Sequence, residues 1–230
     1  MDETDFERHI TAMAEHLTIV EKAERIYSHL EHRADAAVHI LGILFAINAS
    51  LWLLWHVTGL SVEISVFVYC AGLLAMIIAS AAYNLAPHGP SKSLLRRLDH
   101  AAIFIMIAAT YTPFAMNRLG APYGTIILTA IWLSASFGVA MKILFPRRFE
   151  ILSIGLYLAM GWLIVTVIQP LHAAMTAVDF WLLVAGGLVY SVGVAFYLIE
   201  RIPYHKAIWH GFVLTAAVLH FSAIAFEFAG

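Results

Sequence analysis

The sequence predicts an all-α fold, a seven-transmembrane helix bundle preceded by an amphipathic helix. Three observations predict this class. Of the 230 residues, 62% are apolar and only 12% are charged, and the mean hydropathy is +0.84. Soluble domains carry roughly a quarter charged residues, so these values exclude an ordinary soluble domain. The apolar residues also form seven runs, each long enough to cross about 30 Å of hydrocarbon.

The seven apolar runs are the predicted spans, numbered one to seven along the chain. Short segments rich in proline and glycine separate them, such as APHGP at 86–90 and GAP at 120–122. Because the connections are short, we expect one compact bundle. The predicted spans cover residues 37–57, 63–85, 100–117, 123–144, 150–170, 179–199 and 206–228.

Lysine and arginine predict the orientation of the bundle. They gather before span one and in the loops that follow spans two, four and six, whereas on the other side only Arg118 is available. Cytoplasmic loops carry an excess of these residues. The N-terminus is therefore predicted to be cytoplasmic and the C-terminus outside.

Residues 1–35 differ from the rest of the chain. Eight of the fifteen acidic residues lie within the first 31 positions. Apolar residues recur there at helical spacings of four and three, which predicts an amphipathic helix too polar to span. It could lie at the membrane surface, pack under the bundle or pair with a second chain as a homo-oligomer. We therefore divide the chain into an amphipathic cytoplasmic or interfacial helix at 1–35 and a seven-span domain at 36–230.

Five polar residues from three spans are predicted to share one depth. Ser80 and Asn84 lie one turn apart near the cytoplasmic end of span two, Asp99 opens span three, and Lys206 and His210 open span seven. Ionisable groups inside a membrane are costly, so they usually face the bundle interior and have partners. These residues are the candidate site.

Zinc is the metal that such residues first suggest, but the ligands are too few. A catalytic zinc ion needs about three protein ligands and an open position for water. His210 is one candidate, and Asp99 could be a second or could orient water. Asn84 is a weak neutral ligand, and a protonated Lys206 is not a ligand. The residues alone therefore predict no cofactor, with zinc left open.

Three stretches resemble one family. They are SAAYNLAPH at 80–88, RRLDHAAIFIMIAATYTPF at 96–114 and RIPYHKAIWHGFVLTAAVLHF at 201–221, and they resemble hemolysin III proteins, the bacterial branch of the progestin and adipoQ receptor family. The resemblance implies a multi-pass protein of the bacterial inner membrane and membership of a superfamily of seven-helix membrane hydrolases. It also implies a site with a serine and a histidine on helix two, an aspartate at the start of helix three and two histidines four apart on helix seven, the three histidines holding zinc.

Position by position, the resemblance carries over only in part. Ser80, Asp99 and His210 match the family serine, aspartate and second histidine of helix seven. Asn84 and Lys206 stand where the other two histidines are expected. We therefore hypothesise a degenerate, metal-free site in which an ion pair between Lys206 and Asp99 replaces the zinc cluster.

Two functions stay open at this point, and with them the question whether the protein is an enzyme. One is a lipid-binding or ligand-binding, sensing or proton-linked role for the degenerate site. The other is a zinc-dependent hydrolase of a lipid amide or ester, with Ser80 and Asp99 catalytic; its metal ligands would be His210, Asp99, His205 and His88. Membrane lipids are the expected partners, and a net charge of −2 gives no case for nucleic acid.

Overall fold

The computed structural model describes residues 29–87, 89–199 and 201–229. A 3-10 turn at Leu163–Val167 joins two helices, so that Glu150–Ala174 is a single span. Among the described residues, seven helical segments are long and apolar enough to cross a membrane, which confirms the predicted all-α, seven-span class. The helices are α1 (His29–His56), α2 (Leu60–Leu85), α3 (Lys92–Asn117), α4 (Tyr123–Leu144), α5 (Glu150–Gly161), α6 (Ile168–Ala174), α7 (Ala177–Leu198) and α8 (His205–Phe228).

The first span begins earlier than hydropathy predicts. Helix α1 starts at His29, eight residues before the predicted position 37. Asp35 therefore belongs to the bundle rather than to the polar segment that precedes it, and its side chain is buried. The rest of the predicted amphipathic helix, residues 1–28, lies outside the described residues, and so does its predicted role in self-association.

Helix α3 also begins eight residues before its predicted start. It runs from Lys92 rather than from position 100, because lysine, leucine and arginine in this stretch are good helix formers. Asp99 consequently lies about two turns inside α3, not at its opening. A hydropathy profile locates only the part of a helix that lies in the hydrocarbon. The helix itself continues into the polar region beyond it.

The fifth span is broken, although the sequence predicts one continuous helix at 150–170. It continues through Pro170 to Ala174, but the 3-10 turn interrupts it. The hydroxyl of Tyr111 lies 2.8 and 2.9 Å from the carbonyl oxygens of Met160 and Gly161, and it accepts a hydrogen bond of 2.9 Å from the amide of Ile164. Unsatisfied backbone groups are costly in hydrocarbon. The Tyr111 hydroxyl therefore stabilises the break.

The spans form a ring of neighbours. Each span contacts the next along the chain, and α8 contacts α1. Helix α3 is the most buried span, and its close approach to α2 depends on small residues. A Cβ atom on Gly72 would lie only 2.5 Å from the Cβ of Ala109. Small residues at helix interfaces allow such approach in membranes.

Candidate functional site

A cavity of about 850 Å³ lies inside the ring of spans. Side chains of α1, α2, α3, α7, α8 and the fifth span line it. Small-molecule sites in proteins commonly measure about 300–1,000 Å³. The cavity is therefore large enough for a small molecule or for part of a lipid.

The two ends of the cavity differ in polarity. Because successive spans alternate in direction, the starts of α1, α3, α5 and α8 and the ends of α2 and α7 share one end, which is the predicted cytoplasmic end. The opposite end is lined mainly by apolar side chains, among them Phe114, Leu119, Leu171 and Phe180. The polar end is lined by His39, Ser80, Asn84, Arg96, Asp99, His100, Glu150, His205, Lys206 and His210.

All five residues of the predicted site line this polar end. The amide nitrogen of Asn84 donates to the Ser80 carbonyl at 3.0 Å and lies 3.5 Å from the Ser80 hydroxyl. The Asp99 carboxylate interacts with the Ser80 hydroxyl and, electrostatically, with His39 and Arg96. Ser80 thus connects Asn84 to Asp99.

The predicted ion pair between Lys206 and Asp99 is not among the ion pairs recorded between residues 29–87, 89–199 and 201–229, and it stays a prediction. Lys206 also lines a smaller cleft, beside Glu31 and Asp35 of α1. The early start of α1 brings these two carboxylates to the side of α8 on which Lys206 lies.

The predicted alternative zinc ligands do not come together either. In the part of the chain that the structure describes, Asp99 and His205 do not join His210 in a cluster of ligating atoms. His205 is buried and lines the cavity, but it is five residues from His210 and projects from a different face of α8. His88 lies outside the described residues.

The structure instead joins His210 to two residues of α1. The Nδ1 atom of His210 lies 2.6 Å from Oδ1 of Asp35, and Nε2 of His39 lies 3.6 Å from Oδ2 of the same carboxylate. The two imidazole rings have centroids 4.4 Å apart. One ligating atom from each residue lies within 4.8 Å of the others. This set, Asp35, His39 and His210, is called the α1–α8 cluster below.

Sequence reasoning missed the α1–α8 cluster because it divided the chain between residues 35 and 36. Asp35 and His39 are four residues apart, the spacing that places two side chains on one face of a helix. That spacing was the available signal, since it repeats the spacing of Ser80 with Asn84 and of Lys206 with His210. Assigning Asp35 to the preceding amphipathic helix concealed it.

A second cluster of charged side chains lies at the polar end of the cavity, near the start of α5. Glu150 accepts hydrogen bonds from Arg96 at 2.9 Å and from Lys142 at 2.8 Å, and His100 lies 3.6 Å away. The Lys142 side chain is only 3% exposed, so Glu150 is its essential partner. The group fixes the fifth span to α3 and α4. Tyr157 adds a hydrogen bond of 2.8 Å to the His100 carbonyl.

Comparison with known proteins identifies the family. A family model described as "Haemolysin-III related" matches residues 28–221. The chain is 36% identical over 199 residues to a hemolysin-3 homolog of Bacillus subtilis (strain 168), covering 85% of this chain and 93% of the relative. It is 38% identical to hemolysin-3 of Bacillus cereus, with 85% and 91% covered. The chain belongs to the haemolysin III-related family.

The chain is also similar to a mammalian protein. The human monocyte to macrophage differentiation factor is 31% identical over 202 residues, covering 84% of this chain and 83% of the relative. No solved structure gives a significant match. These findings confirm the resemblance drawn from the motifs, and with the seven spans they make the chain a multi-pass membrane protein.

This member of the haemolysin III-related family does not fit zinc at the positions that the resemblance implies. Those positions hold Asn84, Lys206 and His210, so only one of the three supplies an imidazole. The amide nitrogen of Asn84 is bonded within its own helix to Ser80. An ammonium group at Lys206 places a positive charge next to His210, where a metal would need a donor.

Proposed function

We propose that this protein binds a lipid or another amphiphile in its interior cavity. One observation carries the proposal: a single cavity of about 850 Å³ extends from a charged, hydrogen-bonding end to an apolar end. Apolar walls with a few convergent polar groups are typical of ligand sites. An amphiphile matches both ends, because its polar group and its hydrocarbon chain each find a suitable lining.

In this proposal, charged side chains at the polar end bind the polar group of the ligand in place of the family metal. Lys206 and Asp99 both line the polar end of the cavity, so a bound polar group would meet a side chain of either charge. Ser80 and Asn84 add a hydroxyl and an amide at the same depth. A headgroup there would receive charge-assisted hydrogen bonds, which are stronger than neutral ones.

The test uses a lipid that reports its own position. The full chain, reconstituted in nanodiscs, is exposed to a phospholipid with a photoactivatable diazirine in its acyl chain, and labelled residues are identified by mass spectrometry. We expect label on the apolar lining, such as Phe114 and Phe180. Label confined to outward-facing residues would contradict the proposal.

A matched pair of glycine variants controls the labelling experiment. Gly187 lines the cavity, and a Cβ there would contact only Trp162, at 4.0 Å, so Gly187→Leu directs its side chain into open volume. Gly155 is exposed, is not among the lining residues, and has no atom within 4 Å of an added Cβ. Interior labelling should fall several-fold in Gly187→Leu and stay at the native level in Gly155→Leu. Equal labelling in both would also contradict the proposal.

The second candidate function is a metal-dependent hydrolase of a lipid amide or ester. The α1–α8 cluster favours it, because these nitrogen and oxygen donors lie at the polar end of the same cavity. A metal there would supply an activated water, while Ser80 and Asp99 would hold the polar group of the substrate. The test is fatty acid release from N-acyl and O-acyl lipids with zinc added, and from the Ser80→Ala and Asp99→Asn variants. Release equal to a protein-free blank would leave binding as the function.

A further inference from the structure

We infer that Asp35, His39 and His210 form a binding site for a divalent transition metal of the zinc class, which links α1 to α8. This site is distinct from the zinc site that the family resemblance implies at positions 84, 206 and 210. The two sites share only His210. It does not require a lipid in the cavity, so it stands or falls independently of the proposed lipid binding, whereas the hydrolase candidate rests on it.

The ligand types and spacing suit such a metal. Two imidazoles and one carboxylate are the ligand set of several catalytic zinc sites, and they leave a fourth position open. The ligating atoms lie within 4.8 Å of one another. In a tetrahedral site with bonds of about 2.0–2.1 Å, neighbouring ligand atoms are about 3.3 Å apart. The 2.6 Å and 3.6 Å separations of the cluster lie on either side of that value.

A buried nitrogen points to the same conclusion independently. The Nε2 atom of His39 is buried and has no hydrogen-bond partner in the described part of the chain. Its side chain is 5% exposed, and Asp35 stands 3.6 Å away, beyond hydrogen-bond distance. Buried polar atoms in proteins are almost always satisfied. A cation between His39 and Asp35 would satisfy this nitrogen and the carboxylate together.

The surrounding charges permit a cation. Two acidic side chains act on the cluster: Asp35 belongs to it, and Asp99 interacts electrostatically with both Asp35 and His39. Arg96 also acts on Asp99 but is paired with Glu150 at 2.9 Å, and Lys206, one turn before His210, adds one further positive charge. Metal binding would displace the hydrogen between Asp35 and His210, so proton release accompanies it.

The test measures metal on the tag-free full chain, purified in detergent, treated with a chelator and dialysed. After addition of zinc chloride and removal of the excess, elemental analysis should find about one zinc per chain. Cobalt substituted for zinc should give the intense visible absorption of a four-coordinate site, a signature that a hydrogen-bonded but metal-free cluster lacks. Native protein that retains no zinc would overturn the inference.

Single variants locate the metal. His39→Gln should weaken zinc binding by at least about tenfold and abolish the cobalt spectrum. His56→Gln is the matched control, because His56 is an exposed histidine at the other end of α1, and it should bind as the native protein does. Asn84→Ala should also bind normally. Zinc retained by His39→Gln, or lost in Asn84→Ala, would overturn the site, and Asp35→Asn gives an independent second ligand variant.

Discussion

Asp35 of α1 and His210 of α8 meet through a 2.6 Å contact between Oδ1 and Nδ1, although 175 residues separate them in the chain. Asp35 is buried and His210 half-buried at this contact. The pair joins the first span to the last and so closes the ring of helices. Its removal should therefore affect the stability of the whole bundle.

Asp35→Ala should lower the free energy of unfolding by about 1–3 kcal/mol, because it leaves the half-buried imidazole of His210 without its acceptor. Asp35→Asn keeps an oxygen at the same place and should lose less. The measurement is denaturant unfolding in detergent micelles with a chelator present, so that no metal contributes. Equal stability of the native protein and Asp35→Ala would show that the contact does not hold α1 to α8.

Tyr111→Phe should destabilise the fifth span. The substitution removes one hydroxyl, which is within hydrogen-bond distance of two carbonyl oxygens and an amide at the break. We expect a loss of about 1–3 kcal/mol and faster hydrogen exchange at Ile164. Tyr123→Phe is the control, because Tyr123 is 51% exposed. If exchange at Ile164 is the same in native protein and Tyr111→Phe, the hydroxyl does not stabilise the break.

Glu150→Gln should destabilise the polar end of the bundle, because the buried Lys142 loses its carboxylate partner. Glu150 is partly exposed, so the expected loss is about 1–3 kcal/mol rather than the full cost of breaking a buried pair. The double variant Lys142→Met, Glu150→Gln removes the buried charge as well. It should be more stable than Glu150→Gln alone, and a strictly additive loss would contradict the coupling of the two residues.

Gly72→Ala should weaken the packing of α2 on α3. An added Cβ would lie 2.5 Å from the Cβ of Ala109, so the helices must separate. Overpacking of this kind costs about 1–3 kcal/mol. Gly155→Ala makes the same change where nothing lies within 4 Å and should not destabilise. The melting temperatures of the two variants test this directly, and similar values would argue against close α2–α3 packing.

Hydropathy predicts the spans of this chain but not the ends of its helices. The apolar runs locate all seven spans, because the hydrocarbon selects apolar residues. Helices α1 and α3 each begin eight residues earlier than predicted, since backbone hydrogen bonds continue where the chain becomes polar. The break in the fifth span left no such trace, because its residues are as apolar as those of a continuous helix.

The motifs located the polar end of the cavity but not its contacts. Ser80, Asn84, Asp99, Lys206 and His210 all line it, because helical spacing fixes the face and depth of each residue. Which charges meet depends on how neighbouring spans pack, and that is not encoded in the spacing along one helix. Asp35 shows the limit, because only the packing of α1 against α8 places it beside His210.

The cavity has one polar end, at the level where α1, α3 and α8 begin, and this has a consequence for lipid exchange. An amphiphile in the proposed site would keep its headgroup at the depth of its own leaflet, with its chain directed toward the bilayer midplane. It could then enter and leave without carrying a polar group across hydrocarbon, a transfer that costs several kcal/mol for an unsatisfied group. The site would therefore sample a single leaflet, and with the predicted orientation that leaflet faces the cytoplasm.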